Sequence, residues 1–236
     1  MKTSIAFKPA NRQQDSIVAP IEKRILARLA ARMPGWVNPD HLTLLGFAGM
    51  ALAGLSYYLA RWNRWMLLAS VAFLAVNWFG DSLDGTLARY RNRQRPRYGF
   101  YVDHMVDALG ILFLIGGLGL SGYMSPLVAM ALMIAYYLLS IEIYLATYTI
   151  GVFKLSFGIW GPTELRILLA AGNIALIFQK SAQFAGHSYL LADAGAVVAI
   201  AVLALLALYS AVRNTLRLYA EERLSYIHDG HALRRL

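Results

Sequence analysis

Apolar residues in this chain come in long blocks rather than at alternating positions. Leu42–Ala60, Trp65–Gly80, Gly99–Leu120, Leu127–Tyr148 and Tyr189–Val212 are each dominated by aliphatic, aromatic and glycine residues, and a shorter block covers Leu165–Phe178. A bilayer core of about 30 Å takes about 20 helical residues to cross, and only a helix or a closed barrel satisfies its own backbone there. The blocks have helix length. Polar punctuation separates them: Arg61–Arg64, the basic run Arg89–Arg97, Gly122 with Pro126, and Gly151–Thr163. The pattern predicts an all-α, polytopic integral membrane protein with six transmembrane helices, of which the fifth is the shortest.

A different rhythm precedes the first block. Val18, Ile21, Ile25, Leu29 and Met33 recur at three- and four-residue intervals, while Arg24, Arg28 and Arg32 form a second stripe. This spacing gives a helix with one apolar and one basic face, suited to lie in the headgroup region rather than to cross it. Pro34-Gly35 ends that helix. Asn38-Pro39-Asp40 opens the first span, with Asn38 or Asp40 as cap and Pro39 in the first turn. The expected organisation is a flexible arm over 1–16, an amphipathic interfacial helix over 17–35, a six-helix membrane domain over 38–217 and a cytoplasmic tail over 218–236.

Composition agrees with this plan. The chain of 236 residues is 58% hydrophobic with a mean hydropathy of +0.50, too apolar for an ordinary soluble domain. The absence of cysteine excludes disulfides and thiol chemistry. The first forty residues hold no apolar run of the kind a cleaved secretory signal needs, so none is expected. The net charge of +9 points to anionic lipid headgroups and anionic substrates as partners, not to nucleic acid. Nineteen of the 22 Lys and Arg residues fall in segments on one side of a six-span layout, and only Arg61, Arg64 and Lys180 fall on the other. By the positive-inside rule both termini are expected in the cytoplasm.

Four carboxylates then stand out, at the junctions of the second and third blocks. Asp81 and Asp84 are three residues apart, and Asp103 and Asp107 four apart, so on helices each pair shares a face. A carboxylate inside a membrane helix costs about 2.5–3.5 kcal/mol, and four crowded anions also repel one another. Divalent metal is the compensation such oxygens invite, with Mg²⁺, Mn²⁺ and Ca²⁺ as the matching hard cations. One intramembrane aspartate can be a structural hydrogen-bond partner. Four at these spacings, with Gly85 and Arg89 between them, read as an active site. A divalent-cation transporter would set acids at several depths in several helices, and a noncatalytic scaffold would have no use for them.

Written out, the stretch is Asp81-x2-Asp84-Gly85-x2-Ala88-Arg89-x9-Gly99-x3-Asp103-x3-Asp107. It closely resembles the signature of the CDP-alcohol phosphotransferases, membrane enzymes of phospholipid synthesis. The resemblance implies transfer of a phosphoalcohol group from a CDP-alcohol, such as CDP-diacylglycerol, to an acceptor hydroxyl with release of CMP. It implies two divalent ions, Mg²⁺ or Mn²⁺, held by Asp81, Asp84 and Asp103, with Asp107 as the general base and itself near a metal. Asp84, Gly85, Ala88, Arg89 and Gly99 correspond to the nucleotide-binding part, and a homodimer is the family's expected assembly. An alternative branch would pass phosphocholine or phosphoethanolamine from the CDP-alcohol to diacylglycerol.

Beyond the motif, Lys154, Glu164, Arg166 and Arg213 are candidate acceptor contacts. The basic members suit a phosphorylated alcohol, since basic residues in corresponding regions hold inositol-phosphate acceptors in this family. Glu142 and Glu164 suit a cationic amino alcohol, and the run Gly161–Glu164 is similar to that of the aminoalcohol branch. Ile141-Glu142 lacks the Arg-Glu pair associated with phosphatidylglycerophosphate synthases. Both readings stay open, as does structural pairing of Glu164 with Arg166 or Lys154. Arg91, Arg93, Arg95 and Arg97 are expected to set topology and meet lipid. His41 and His104 are expected to serve local hydrogen bonds.

Overall fold

The structure is a computed structural model that describes residues 11–13, 18–154, 161–184 and 186–222. A short strand, β1 (Asn11–Gln13), precedes helices α1 (Ala19–Arg32), α2 (Pro39–Leu59), α3 (Met66–Tyr90), α4 (Pro96–Leu120) and α5 (Pro126–Ile150). Strand β2 (Val152–Lys154), helix α6 (Pro162–Phe178), the hairpin β3 (Ser181–Phe184) and β4 (His187–Leu190), and helix α7 (Leu191–Glu221) complete it. Five of the helices, α1, α2, α4, α5 and α6, begin with a proline in the first turn, where its missing N–H is no loss. Asn38 caps α2, and His41 Nδ1 accepts the Asn38 N–H at 3.3 Å, the local role expected of that histidine. Gly122 and Gly151 close α4 and α5 with φ near +76° and +77°, a conformation glycine adopts without strain.

The bundle is organised around α2, which packs on α3 along one face and on α4 along another. Glycines make both contacts possible. A Cβ on Gly49 would come within 2.7 Å of the Asn77 amide, and one on Gly80 would overlap the backbone of Gly46. On the other face a Cβ on Gly54 would overlap the Phe113 carbonyl, and one on Gly117 would overlap the Gly54 carbonyl. Lipid offers no hydrophobic drive to bring helices together, so backbone-to-backbone approach through small residues is what holds these seams. Among the described residues, α3 and α4 scarcely touch each other, and both lean on α2. Helix α5 packs on α4 and α7, and α6 on α3. One core cluster gathers Ala53, Tyr57, Leu67, Leu74, Leu114 and Leu176, and a second, under α1, gathers Leu26, Ala30, Leu42, Leu83 and Leu87.

Among the described residues five helices (α2, α3, α4, α5 and α7) are long and apolar enough to cross a membrane, while α6, with 17 residues, is shorter. Several boundaries differ from expectation. Helix α3 runs ten residues past Gly80, because nothing in Asp81–Tyr90 breaks a helix, so Asp81 and Asp84 lie within it. Pro96 opens α4 instead of stopping a helix, since proline at N1 costs no hydrogen bond. The expected flexible arm contributes β1, which pairs in parallel with β2 from Asn11↔Val152 to Gln13↔Lys154. The chain between α6 and α7 forms the antiparallel β3–β4 hairpin, so Tyr189 belongs to a strand and not to the last helix. That helix continues to Glu221, into the segment expected as a tail. The rest of the arm, residues 155–160 and residues 223–236 lie outside the described residues.

Helix α1 is held by polar clamps that its periodicity did not announce. Its face against the bundle is Ala19, Glu22, Leu26 and Ala30, whereas Ile21 and Ile25 are exposed. Glu22 is buried, and its Oε1 accepts from Trp78 Nε1 at 2.7 Å, Thr163 Oγ1 at 2.8 Å and Ser82 Oγ at 3.2 Å. At the other end Arg91 donates to the carbonyls of Met33 (3.0 Å), Pro34 (2.8 Å) and Val37. These carbonyls lie at and just beyond the C-cap of α1, and a guanidinium there also favours the negative end of the helix dipole. Glu22→Leu would strand three part-buried donors, and leaving a buried donor unsatisfied costs about 1–3 kcal/mol. Tryptic cleavage after Arg28 and Arg32 should then rise by about tenfold or more relative to wild type. Glu22→Gln, which keeps an acceptor oxygen, should cleave like the wild type; equal rates for all three proteins would deny the clamp.

Candidate active site

The end of the bundle that carries α1 also carries all four aspartates. Asp81 and Asp84 sit in the last turns of α3, and Asp103 and Asp107 in the first turns of α4. Because α3 and α4 are each seated on α2 and not on one another, the two pairs face a gap between the helices. Asp107 is near enough to feel the charges of Asp81, Asp84 and Asp103, and Asp84 those of Asp81 and Asp103. Asp84 is buried; the remaining three are partly exposed.

Each α3 carboxylate is held from another helix. Thr43 of α2 donates through Oγ1 to Asp84 Oδ2 at 2.7 Å, and the Gly85 N–H donates to Asp84 Oδ1. Arg166 of α6 donates through Nη2 to Asp81 Oδ2 at 2.6 Å and through Nε to Asn77 Oδ1 at 2.9 Å. Asn77 is fixed in turn by its own Nδ2–H bond to the Gly46 carbonyl at 3.0 Å. The donor set fits a hard divalent cation in kind: four carboxylates from two helices, one of them already holding a cationic side chain. As placed, Asp81 turns to Arg166 and Asp84 to Thr43. Among the described residues no three His, Cys, Asp or Glu side chains are gathered into one metal-holding group.

The gap is open where the motif has glycine. A Cβ on Gly85 would meet nothing nearer than Arg89 Nη1 at 3.4 Å, and one on Gly99 would meet nothing within 4 Å. Ala88 is half-buried, and Arg89 is exposed with Nη2 3.1 Å from Thr86 Oγ1. On the far side, α5 brings Tyr136 and Tyr144 within electrostatic reach of Asp107. His104 points its Nδ1 at the Phe100 carbonyl and its ring edge-on to Tyr144 at 4.6 Å, a local role.

Among the candidate acceptor contacts with described side chains, Arg166 is joined to the aspartates. Glu164 caps instead, with Oε2 on the Gly161 N–H and Oε1 on the Val18 N–H, both at 3.0 Å, which ties α6 to α1. Arg213 is exposed on α7 over the Tyr209 ring, and Lys154 ends β2. Glu142 takes the amide of Asn214 at 2.6 Å, joining α5 to α7. Thr43, Asn77 and Glu22 were not singled out from the sequence. Their signal was there, since each is a polar side chain set in an apolar or amphipathic run, where burial demands a partner. Arg91 was read with its neighbours as a loop charge, and only the fold shows the carbonyls it serves.

The family model described as CDP-alcohol phosphatidyltransferase matches residues 36–208, most of the chain and all of the gap. The chain belongs to that family. The CDP-alcohol phosphatidyltransferase family comprises membrane transferases of phospholipid biosynthesis, and its match with these apolar helices makes the chain a multi-pass integral membrane protein. Two curated relatives are archaetidylinositol phosphate synthases. One, from Pyrococcus horikoshii, is 30% identical over 126 residues, 53% of this chain and 64% of the relative's length. The other, from Methanothermobacter thermautotrophicus, is 29% identical over 161 residues, 66% of this chain and 75% of the relative.

Proposed function

We propose that the protein transfers the phosphoalcohol part of a lipid CDP-alcohol, of the CDP-diacylglycerol type, to the hydroxyl of a small acceptor, releasing CMP. The observation that carries this reading is the meeting of the complete Asp81–Asp107 motif across one gap. In the reaction the acceptor oxygen bonds to the phosphorus beside the lipid alcohol, the bond from that phosphorus to the CMP oxygen breaks, and the hydroxyl proton leaves. In this reading Asp107 takes that proton, and Asp81, Asp84 and Asp103 would hold Mg²⁺ or Mn²⁺. When bound, two such ions supply charge neutralisation on the attacking and leaving oxygens. Gly85 and Gly99 leave room for the nucleotide, and exposed Arg89 offers its guanidinium to phosphate.

Arg166 favours a phosphorylated acceptor over a cationic amino alcohol, because it brings positive charge beside Asp81 while Glu142 and Glu164 are engaged elsewhere. The names of the two relatives point the same way, to an inositol phosphate. The deciding experiment is CMP release from CDP-diacylglycerol by purified protein with Mg²⁺ or Mn²⁺, across inositol phosphate, glycerol phosphate, serine and inositol. Release that depends on metal and on one acceptor supports the reading. Full activity in excess chelator, or release only from CDP-choline with diacylglycerol, would overturn it.

The site is proposed to face the cytoplasm, with six spans, both termini inside and α1 in the headgroup layer. Supporting this are the nineteen-to-three charge split and the exposed Ile21 and Ile25 beside exposed Arg24, Arg28 and Arg32. Reporters fused at residues 1 and 236 should both read cytoplasmic, and one at Gly122 should read the opposite side. Opposite readings for the two termini would remove α6 from the count of spans. A homodimer remains part of this proposal by family resemblance alone.

A further inference from the structure

Thr43 lies in the first turns of α2, with its Oγ1 2.7 Å from Asp84 Oδ2 and 3.2 Å from the Pro39 carbonyl one turn back. A hydroxyl has a single proton to give. A bond to a carboxylate is shorter and stronger than one to a neutral carbonyl, so the distances aim that proton at Asp84 Oδ2. In a helix a β-branched side chain has few rotamers, and the backward approach of Oγ1 to the Pro39 carbonyl belongs to one of the two that threonine uses. Thr43 is therefore a stiff donor. Its reach is fixed one turn along the same seam. There a Cβ on Gly46 would come 3.0 Å from the Asp81 amide, and Asn77 bonds the Gly46 carbonyl. Asp84 is 7% exposed, and its other oxygen is engaged by the Gly85 N–H.

We propose that Thr43 is a positioning residue for the metal site: its hydroxyl fixes the rotamer of Asp84 and aims the free lone pairs of that carboxylate into the gap between α3 and α4. The proposal rests on the reading of Asp84 as a metal ligand. Without the hydroxyl, Asp84 keeps only a bond to its own neighbouring amide and turns away from a fixed aim. Partners that orient ligands typically change metal affinity by about 10–100-fold when removed. Valine at position 43 has threonine's shape without the donor, whereas serine keeps the donor.

The test is Mn²⁺ binding by the full-length protein in lipid nanodiscs, followed through the spectroscopic signal of free Mn²⁺ with no substrate present. Thr43→Val should bind Mn²⁺ about tenfold more weakly and Thr43→Ser within about twofold of wild type, each measured on the folded fraction. Asp84→Asn should lose at least as much as Thr43→Val, and the Thr43→Val/Asp84→Asn double variant should lose no more than Asp84→Asn alone. If Thr43→Val binds like wild type while Asp84→Asn is weakened, the positioning role is wrong and the ligand reading stands. If Thr43→Ser falls as far as Thr43→Val, the hydroxyl is not the operative group and the proposal fails. If Asp84→Asn binds like wild type, the ligand reading fails and this proposal falls with it.

Discussion

Asparagine in place of Asp81, Asp84 or Asp103 is expected to bring CMP release close to zero while the protein still inserts and folds. The substitution keeps the shape of each side chain and removes the charge that a divalent ion needs. At Asp81 it also leaves Arg166 without its carboxylate partner. Asp107→Asn should behave differently. If that group takes the proton, turnover should fall by about 10²–10⁴-fold, the usual worth of general-base assistance, while CDP-alcohol and metal still bind through the other three. Titrating nucleotide and metal against Asp103→Asn and Asp107→Asn separates the two roles. Retention of more than about a tenth of wild-type activity by any two of the first three variants would mean that the metal site is not built from this motif.

The second large effect is expected at the seam between α2 and α4. Gly117→Val should drive a branched side chain into the Gly54 carbonyl, where even a single carbon overlaps. Overpacking of this kind costs about 1–3 kcal/mol and sometimes more, and neither partner can yield because both are helix backbone. The expected result is a lower thermal midpoint in detergent, a smaller folded fraction on extraction, and loss of activity through displacement of α4. Gly116 is the built-in control, because a Cβ there meets nothing within 4 Å and Gly116→Ala also improves helix propensity. Matching melting curves for Gly117→Val and wild type would show that the seam tolerates separation.

Much of this was legible in the chain because the bilayer leaves few solutions. Blocks such as Leu42–Ala60 and Leu127–Tyr148 had to be helices, and the aspartate pairs had to share faces on them. Helix ends were less legible. Pro96 reads equally as a terminator or as a first-turn residue, and only the position of its neighbours decides. The two short ladders were invisible, since three- and four-residue strands carry no periodicity of their own. For the site, residue type and spacing named the aspartates, but the groups that hold them come from far along the chain. Thr43 is 41 residues from Asp84, and Arg166 is 85 from Asp81. The Thr43 pairing follows from the glycine seam between α2 and α3, and the Arg166 pairing from the packing of α6 on α3; a glycine in an apolar block does not announce its neighbour.

One consequence of those seams reaches the chemistry. Since α3 and α4 are both fitted to α2 and scarcely to each other, the width of the gap between Asp81/Asp84 and Asp103/Asp107 is a property of α2. That helix acts as a gauge block: its two glycine faces set how far apart the opposing carboxylates stand, although it contributes none of them. On the proposed reading, a substitution at Gly49 or Gly54 of α2, neither of which packs on an aspartate, is expected to change the size of ion and phosphate that the gap admits. On that reading, selectivity is expected to drift at positions that no comparison of active-site residues would flag.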